Sequence, residues 1–321
     1  MPLDIAAVIL GFVVLIWGAE RLVSGSAALA YRLGMPPLLI GVTVVGFGTS
    51  APELVVATVA SVGGNPGLAI GNAIGSNIAN IGLVVGVTAV VTPLTVHSRA
   101  LNREFPILLV VSFMVLALVL NGTLGRVDGL ALVACLTALV VWLVRTARSL
   151  EDDPLGAESK AAIPTELGSG KALVRFMVGL VALLLASRVL VWGAANIARE
   201  LGVSELLIGL TIVAVGTSLP ELATSVVSAL KHEQDLAMGN ILGSNLFNLL
   251  AVLSVPAIVA PGPVDPALAA RDVPVMLAFT VALAAMAWAF DGPSRRINRI
   301  EGVTLLLGFA AYMATLGTTA L

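Results

Sequence analysis

Charge is scarce in this chain. Charged residues make up 11% of its 321 positions, while 58% are hydrophobic, and mean hydropathy is +1.04. A soluble globular protein carries about a quarter charged residues. So much apolar surface does not fit inside one water-facing domain, and a multi-span helical membrane protein is the expectation. Lysine plus arginine (17) nearly balance aspartate plus glutamate (19), so the net charge of −2 gives no basic surface for nucleic acid. The single cysteine, Cys135, excludes an internal disulfide, a CxxC site and a cysteine-rich metal cluster. The two histidines, His97 and His232, both sit in polar breaks between apolar runs, where solvated loop histidines are the simple reading.

What the chain has is long apolar runs. Segments able to cross a bilayer, which takes about 20 residues, fall at 3–23, 36–61, 68–91, 104–121, 127–146, 171–192, 204–230, 236–259, 272–290 and 300–319. The first has no basic region and no A-x-A site before it, so a retained helix is expected rather than a signal peptide. The polar stretch 147–170 reads as a connecting loop, too short for a regulatory domain.

Sliding the sequence by 168 positions superimposes its halves. LLIGVTVVGFGTSAPEL (38–54) falls on LLIGLTIVAVGTSLPEL (206–222) with 12 of 17 positions identical, and GNAIGSNIAN (71–80) falls on GNILGSNLFN (239–248) with 6 of 10 identical. Arg103, Glu104 and Pro106 meet Arg271, Asp272 and Pro274. Residues 1–146 and 171–321 therefore read as two copies of one five-span unit. Because five is odd, the second copy enters the membrane from the opposite side. The expected fold is an all-α membrane protein of ten transmembrane helices in two inverted five-helix repeats, the arrangement of secondary transporters. With both termini outside, 13 lysines and arginines lie at the cytoplasmic side and four at the other. The positive-inside bias then places the 147–170 loop in the cytoplasm.

The repeated hexapeptides GTSAPE (48–53) and GTSLPE (216–221) put a glutamate near the middle of an apolar span. A carboxylate there costs about 2.5–3.5 kcal/mol on insertion scales and marks a functional site. Pro52 and Pro220 each disrupt bonding to the carbonyl four residues earlier, that of Gly48 and of Gly216. A cation is one group able to satisfy such a carbonyl. Thr49 and Glu53 are i and i+4 on one helix face, as are Thr217 and Glu221. Hydroxyl, carbonyl and carboxylate oxygens converging there suit a hard cation such as Ca²⁺. In the second motif Asn72, Ser76 and Asn80 share a helix face, as do Asn240, Ser244 and Asn248, with glycines between them that allow close helix approach. A plain polar packing seam is the other reading of these residues.

Paired G-T-S-x-P-E and G-N-x-x-G-S-N motifs, in two halves of five spans, resemble the cation/Ca²⁺ exchanger superfamily and are most similar to prokaryotic Na⁺/Ca²⁺ exchangers. The resemblance covers nearly the whole chain. It implies a core of spans 36–61, 68–91, 204–230 and 236–259 in the cell membrane of a prokaryote. It implies central Ca²⁺ ligands at Glu53 and Glu221 with the Thr49 and Thr217 carbonyls. It implies Na⁺ sites at Ser50, Ser76, Ser218, Ser244 and the backbone around Gly46 and Ala214, a ring completed by Asn80 and Asn248, and spans 1 and 6 as a sliding gate. No cofactor is implied, and a monomer is the expected working unit. Some exchangers of this group carry aspartate where this chain has Asn248, so only two carboxylates remain among the matched positions. Ca²⁺/Na⁺ antiport is the leading expectation. H⁺ in place of Na⁺ is the alternative, and a cation channel a remote one. An intramembrane enzyme finds no support, since HExxH, GxSxG and paired intramembrane aspartates are absent from the sequence and GSGK (168–171) is too short for a phosphate loop.

Overall fold

The computed structural model describes residues 1–33, 41–96, 101–147, 168–202, 214–288 and 295–319. Residues 36–40 and 204–213 of two expected spans, the last two of span 272–290, His97 and most of the connecting loop lie outside the described residues. In chain order the elements are α1 (Pro2–Leu33), a π-helical turn (Gly41–Val45), α2 (Gly46–Thr49), α3 (Ala51–Val62), α4 (Pro66–Ala79), a second π turn (Asn80–Val85) and α5 (Gly86–Val91). There follow β1 (Leu94–Val96), α6 (Leu101–Val119), β2 (Thr123–Leu124), α7 (Arg126–Ala147), α8 (Ser169–Glu200), α9 (Ala214–Thr217), α10 (Leu219–Leu230) and α11 (Gln234–Phe247). The chain continues through a π turn (Asn248–Val252), α12 (Ser254–Val259), β3 (Gly262–Pro263), a π turn (Leu268–Asp272), α13 (Val273–Trp288), β4 (Arg295–Ile297) and α14 (Arg299–Thr319).

Among the described residues, seven helices are long and apolar enough to cross a membrane: Pro2–Leu29, Pro66–Val91, Arg126–Leu143, Ser169–Glu200, Gln234–Val259, Leu268–Ala287 and Arg299–Thr318. Val42–Thr49 with Ala51–Val62 forms one bent pair, and Glu104–Val119 and Leu219–Leu230 are shorter apolar helices. The structure is not purely helical. Antiparallel β1–β4 pairs Leu94 with Ile297, and β2–β3 pairs Thr123 with Pro263. Both are clips at span ends, where loop backbone must find partners.

The first and sixth spans are longer than their hydropathy suggests. The sequence places them at 3–23 and 171–192, yet α1 and α8 each run 32 residues, about 48 Å against a hydrocarbon core of about 30 Å. The extensions, SGSAALAYRL (24–33) and GAANIARE (193–200), are less apolar than the spans, but they are rich in alanine, the best helix former, so the helix continues. Apolar, lipid-compatible side chains cover the outer faces of both helices, among them Phe12, Val13, Val174 and Leu185.

The two helices pack antiparallel along a seam of small residues at sevenfold spacing. Gly11 lies on Leu190, Gly18 on Leu183 and Gly25 on Phe176, while Gly179 meets the Leu22 backbone and Gly193 that of Asp4. A Cβ on Gly25 would sit 2.5 Å from the Phe176 nitrogen. In lipid, where burial of apolar surface gives no drive between helices, such backbone approach is what holds helices together. The pair centres a smaller apolar cluster (Leu15, Leu22, Val23, Phe176, Leu183), which also takes in Val45, Val227 and Leu236 and is distinct from the larger core built mainly by α4–α7 and α11–α13.

Gly25→Ala is expected to lower stability by about 1–3 kcal/mol, the cost of overpacking. Gly71, exposed on α4 with nothing described within 4 Å of its would-be Cβ, provides the control, and Gly71→Ala should be neutral or gain up to about 1 kcal/mol. Thermal unfolding of the purified protein in detergent reads both.

Candidate functional site

Both hexapeptides end one helix and start another. Ser50 (φ −83°, ψ 10°) separates α2 from α3, and Ser218 (φ −89°, ψ 2°) separates α9 from α10. The first break bends its helix pair by 49°. Pro52 and Pro220 then lie in the first turn of a new helix, where a missing N–H costs nothing. Glu53 and Glu221 occupy the same first turns. There the unpaired N–H groups and the positive end of the helix dipole favour a carboxylate.

The carbonyls expected to be freed by the prolines have protein partners. Gly216 O accepts from Ser187 Oγ of α8 at 2.8 Å, and Gly48 O accepts a backbone N–H at the end of α2. A nearby hydroxyl or capping amide satisfies the carbonyl as well as a cation would, so proline placement alone does not identify a ligand. The convergent carbonyl is that of Gly46, two residues earlier. It accepts from Ser50 N (3.2 Å), Thr49 Oγ1 (3.3 Å) and Ser244 Oγ (3.2 Å).

The two glutamates come together. Each is at most 1% exposed, and they stand within electrostatic reach of one another. Ser50 Oγ donates to Glu221 Oε1 at 3.1 Å, and Ser244 Oγ lies 3.5 Å from the same oxygen. Thr49 also lies within reach of Glu221, as Thr217 and Ser76 do of Glu53. Each carboxylate is thus reached by the threonine of the other hexapeptide and by the serine of its own G-N-x-x-G-S-N segment. Thr49 Oγ1 links on to Asn240 Oδ1 (3.1 Å) and Ser244 Oγ (3.3 Å).

Asn80 and Asn248 each open a π-helical turn, the distortion in which helices often carry functional groups. Asn80 Nδ2 donates to Asn245 Oδ1 at 3.2 Å, whereas neither amide atom of Asn248 has a partner within the protein. Ser218 Oγ, Asn80 Oδ1 and one oxygen each of Glu53 and Glu221 are also buried without partners. Such atoms are rare in a folded core and cluster where a ligand belongs. Two carboxylates ringed by neutral oxygens fit a hard cation, and no trio of His, Cys, Asp or Glu spaced for a metal occurs among the described residues. The Ala214 side chain is outside the described residues; its backbone opens α9.

Sequence reasoning passed over Asn245 and Ser225, and placed Asn240 on the motif face without giving it a role at the site. Asn245 pairs with Asn80, and Asn240 and Ser225 bond each other at 3.0 Å, with Asn240 reaching Glu221 O at 3.4 Å. Asn240 shares a helix face with Ser244, and Ser225 lies at i+4 from Glu221. Those spacings were the available signal.

The chain has known relatives. Residues 3–145 and 171–317 match the family model described as sodium/calcium exchanger protein. CaxA of Alkalimonas amylolytica is 46% identical over 306 residues, covering 95% of this chain and 96% of that one. Sodium/calcium exchanger MaX1 of Methanosarcina acetivorans is 29% identical over 342 residues, covering 96% and 97%. The sodium-calcium exchanger NCX_Mj, solved after soaking in 2.5 mM Na⁺ and 0.1 mM Ca²⁺, superposes with a TM-score of 0.83 at 29% identity over 98% of both chains. A multi-pass helical membrane chain that matches this model in both halves belongs to the sodium/calcium exchanger family.

Proposed function

We propose that this protein is a secondary antiporter that moves Ca²⁺ across the membrane in exchange for Na⁺ by alternating access. The observation that carries the reading is the pair of buried glutamates, Glu53 and Glu221, each within reach of hydroxyls of the G-T-S and G-S-N motifs. Two carboxylates balance one Ca²⁺. With the carbonyls and hydroxyls of Thr49 and Thr217 they approach the six to eight oxygens that Ca²⁺ takes. In the Na⁺-loaded state Ser50, Ser76, Ser218, Ser244, the backbone at Gly46 and Ala214, and the amides of Asn80 and Asn248 supply the remaining oxygens.

On this reading the seven long helices, the bent pair and the two shorter helices make ten crossings, in two inverted repeats with both termini outside. The α1–α8 pair slides across the core only when the central site is filled, and that condition makes exchange obligatory. Two relatives favour Na⁺, since MaX1 and NCX_Mj are both sodium/calcium exchangers. The second reading is H⁺/Ca²⁺ exchange on the same fold. Its support is that Asn80 and Asn248 are both neutral, leaving two carboxylates to balance a full Na⁺ load.

In proteoliposomes, an outward Na⁺ gradient is expected to drive ⁴⁵Ca²⁺ uptake and an outward H⁺ gradient is not; the reverse result moves the protein to proton coupling. Glu53→Gln should reduce uptake at least about 100-fold, the scale of losing one close charge from a partly dehydrated cation, with the thermal midpoint retained. Flux near wild type in that variant would overturn the site. Asn248→Asp adds a third carboxylate and should alter Na⁺ dependence more than maximal Ca²⁺ rate, read as initial uptake across a Na⁺ titration.

A further inference from the structure

Helix α10 carries more polar chemistry than the central site uses. From Glu221 a stripe of hydroxyls follows at i+3, i+4 and i+7: Thr224, Ser225 and Ser228, all 0% exposed. That spacing lines one helix face. It runs about 10 Å along the axis to the turn at Lys231–Glu233, where Glu233 N–H bonds Ser228 O at 2.8 Å and His232 takes the left-handed conformation (φ 62°). The stripe does not come with the repeat. At the same offsets from Glu53, helix α3 has Val56, Ala57 and Ala60.

Away from the site, and apart from Ser187, which bonds Gly216 O, buried hydroxyls among the described residues follow a simple rule. Ser26, Ser61, Thr88, Ser112 and Thr280 each donate to the carbonyl four residues back, and Ser254 to the one three back, at 2.6–2.8 Å. That is the ordinary way a membrane helix satisfies a serine or threonine. Thr224 Oγ1 and Ser228 Oγ break the rule, since both are fully buried and neither has a partner within the protein. Ser225 accepts instead from Asn240, which also contacts Glu221 O and Thr49. An unpartnered buried hydroxyl costs about 1–3 kcal/mol. Valine and alanine at these places would avoid that cost, as Val56 and Ala60 do in the other half. A hydroxyl with a free donor and free lone pairs is suited to passing a partly hydrated cation, exchanging one weak oxygen contact for the next.

We propose that Thr224, Ser225 and Ser228 form the hydrated approach by which cations reach Glu221 from the membrane face bearing the Lys231–Glu233 turn. The approach is shut in this structure and opens during the transport cycle. The matching route along Val56, Ala57 and Ala60 has no side-chain oxygens, so the two faces admit ions through chemically different passages. The inference rests on the cation-carrying role proposed for Glu53 and Glu221.

The test uses the full chain with its single cysteine removed by Cys135→Ala. Thr224→Cys and Ser228→Cys are each exposed to a membrane-impermeant methanethiosulfonate reagent in right-side-out and inverted vesicles, and labelling is read as a mass shift. Both cysteines should be labelled from the turn face alone, with labelling lost in saturating Ca²⁺. No labelling from either face, or labelling from the opposite face, overturns the proposal. A second variant, Thr224→Val with Ser228→Ala, should keep or raise the thermal midpoint while slowing Ca²⁺ flux several-fold, because it removes unpartnered groups from a dry core. A lowered midpoint with unchanged flux would show the hydroxyls to be packing groups and overturn it as well. If Glu221→Gln still transports Ca²⁺, the antiport reading fails. If Glu221→Gln is dead and position 228 stays unlabelled, only the approach fails.

Discussion

Two carboxylates have to be held inside a hydrocarbon layer, and much else in the molecule follows from how that is done. A buried, uncompensated carboxylate is costly. Here each one sits in the first turn of a helix that begins at a serine break, with a proline beside it. The break turns the middle of a span into a helix N-terminus, which brings unpaired N–H groups and a favourable dipole to the acid. Hydroxyls from the other half of the chain complete the shell, so neither glutamate is satisfied by its own half alone. Substituting alanine for Pro52 would favour a continuous helix and remove the terminus on which the acid depends.

The rest of the packing keeps this shell in register. Small residues let backbones close to contact distance where exact placement matters: Gly243 of α11 lies on the Val42 carbonyl, and Gly46 lies on the Ser244 nitrogen. The Phe47 and Phe247 rings pack tilted by 34°, with centroids 4.6 Å apart, beside the same junction. The α1–α8 pair is joined to this assembly through a smaller apolar cluster that includes Val45, Val227 and Leu236. Ser187 of α8 reaches in to bond Gly216 O, so the long helix pair touches the backbone of a hexapeptide directly.

Much of the site was legible because its chemistry conflicts with its surroundings. Glutamate, proline, asparagine and serine stand out in apolar runs, and a shift of 168 positions makes each occurrence its own control. Glu53, Glu221, Ser50, Ser76, Thr49, Thr217 and Ser244 were readable on those grounds, and the structure gathers them around the two carboxylates. Asn245, Ser225 and Ser187 were not. Nothing in their local sequence separates a serine that bonds its own helix from one that bonds a neighbour. That distinction depends on which helix lies opposite. The same limit explains the proline carbonyls, for which hydrogen-bond partners come from residues distant in sequence or from the cap of the preceding helix.

Composition and periodicity determined by themselves that the chain is a multi-pass helical membrane protein, where its apolar segments lie, and that two acidic hexapeptides are its centre. Those properties are local, since hydropathy, a proline and a misplaced charge all act within a turn or two of helix. Only the tertiary structure decided that α1 and α8 extend to 32 residues and lock through glycines, that the helix breaks create new N-termini, and that the threonine of one hexapeptide serves the glutamate of the other. It also decided that the hydroxyls of Thr224 and Ser228 are buried without a partner. Each of these depends on what stands across a helix interface, and pair contacts at separations of 165 to 195 residues leave no mark on either segment alone.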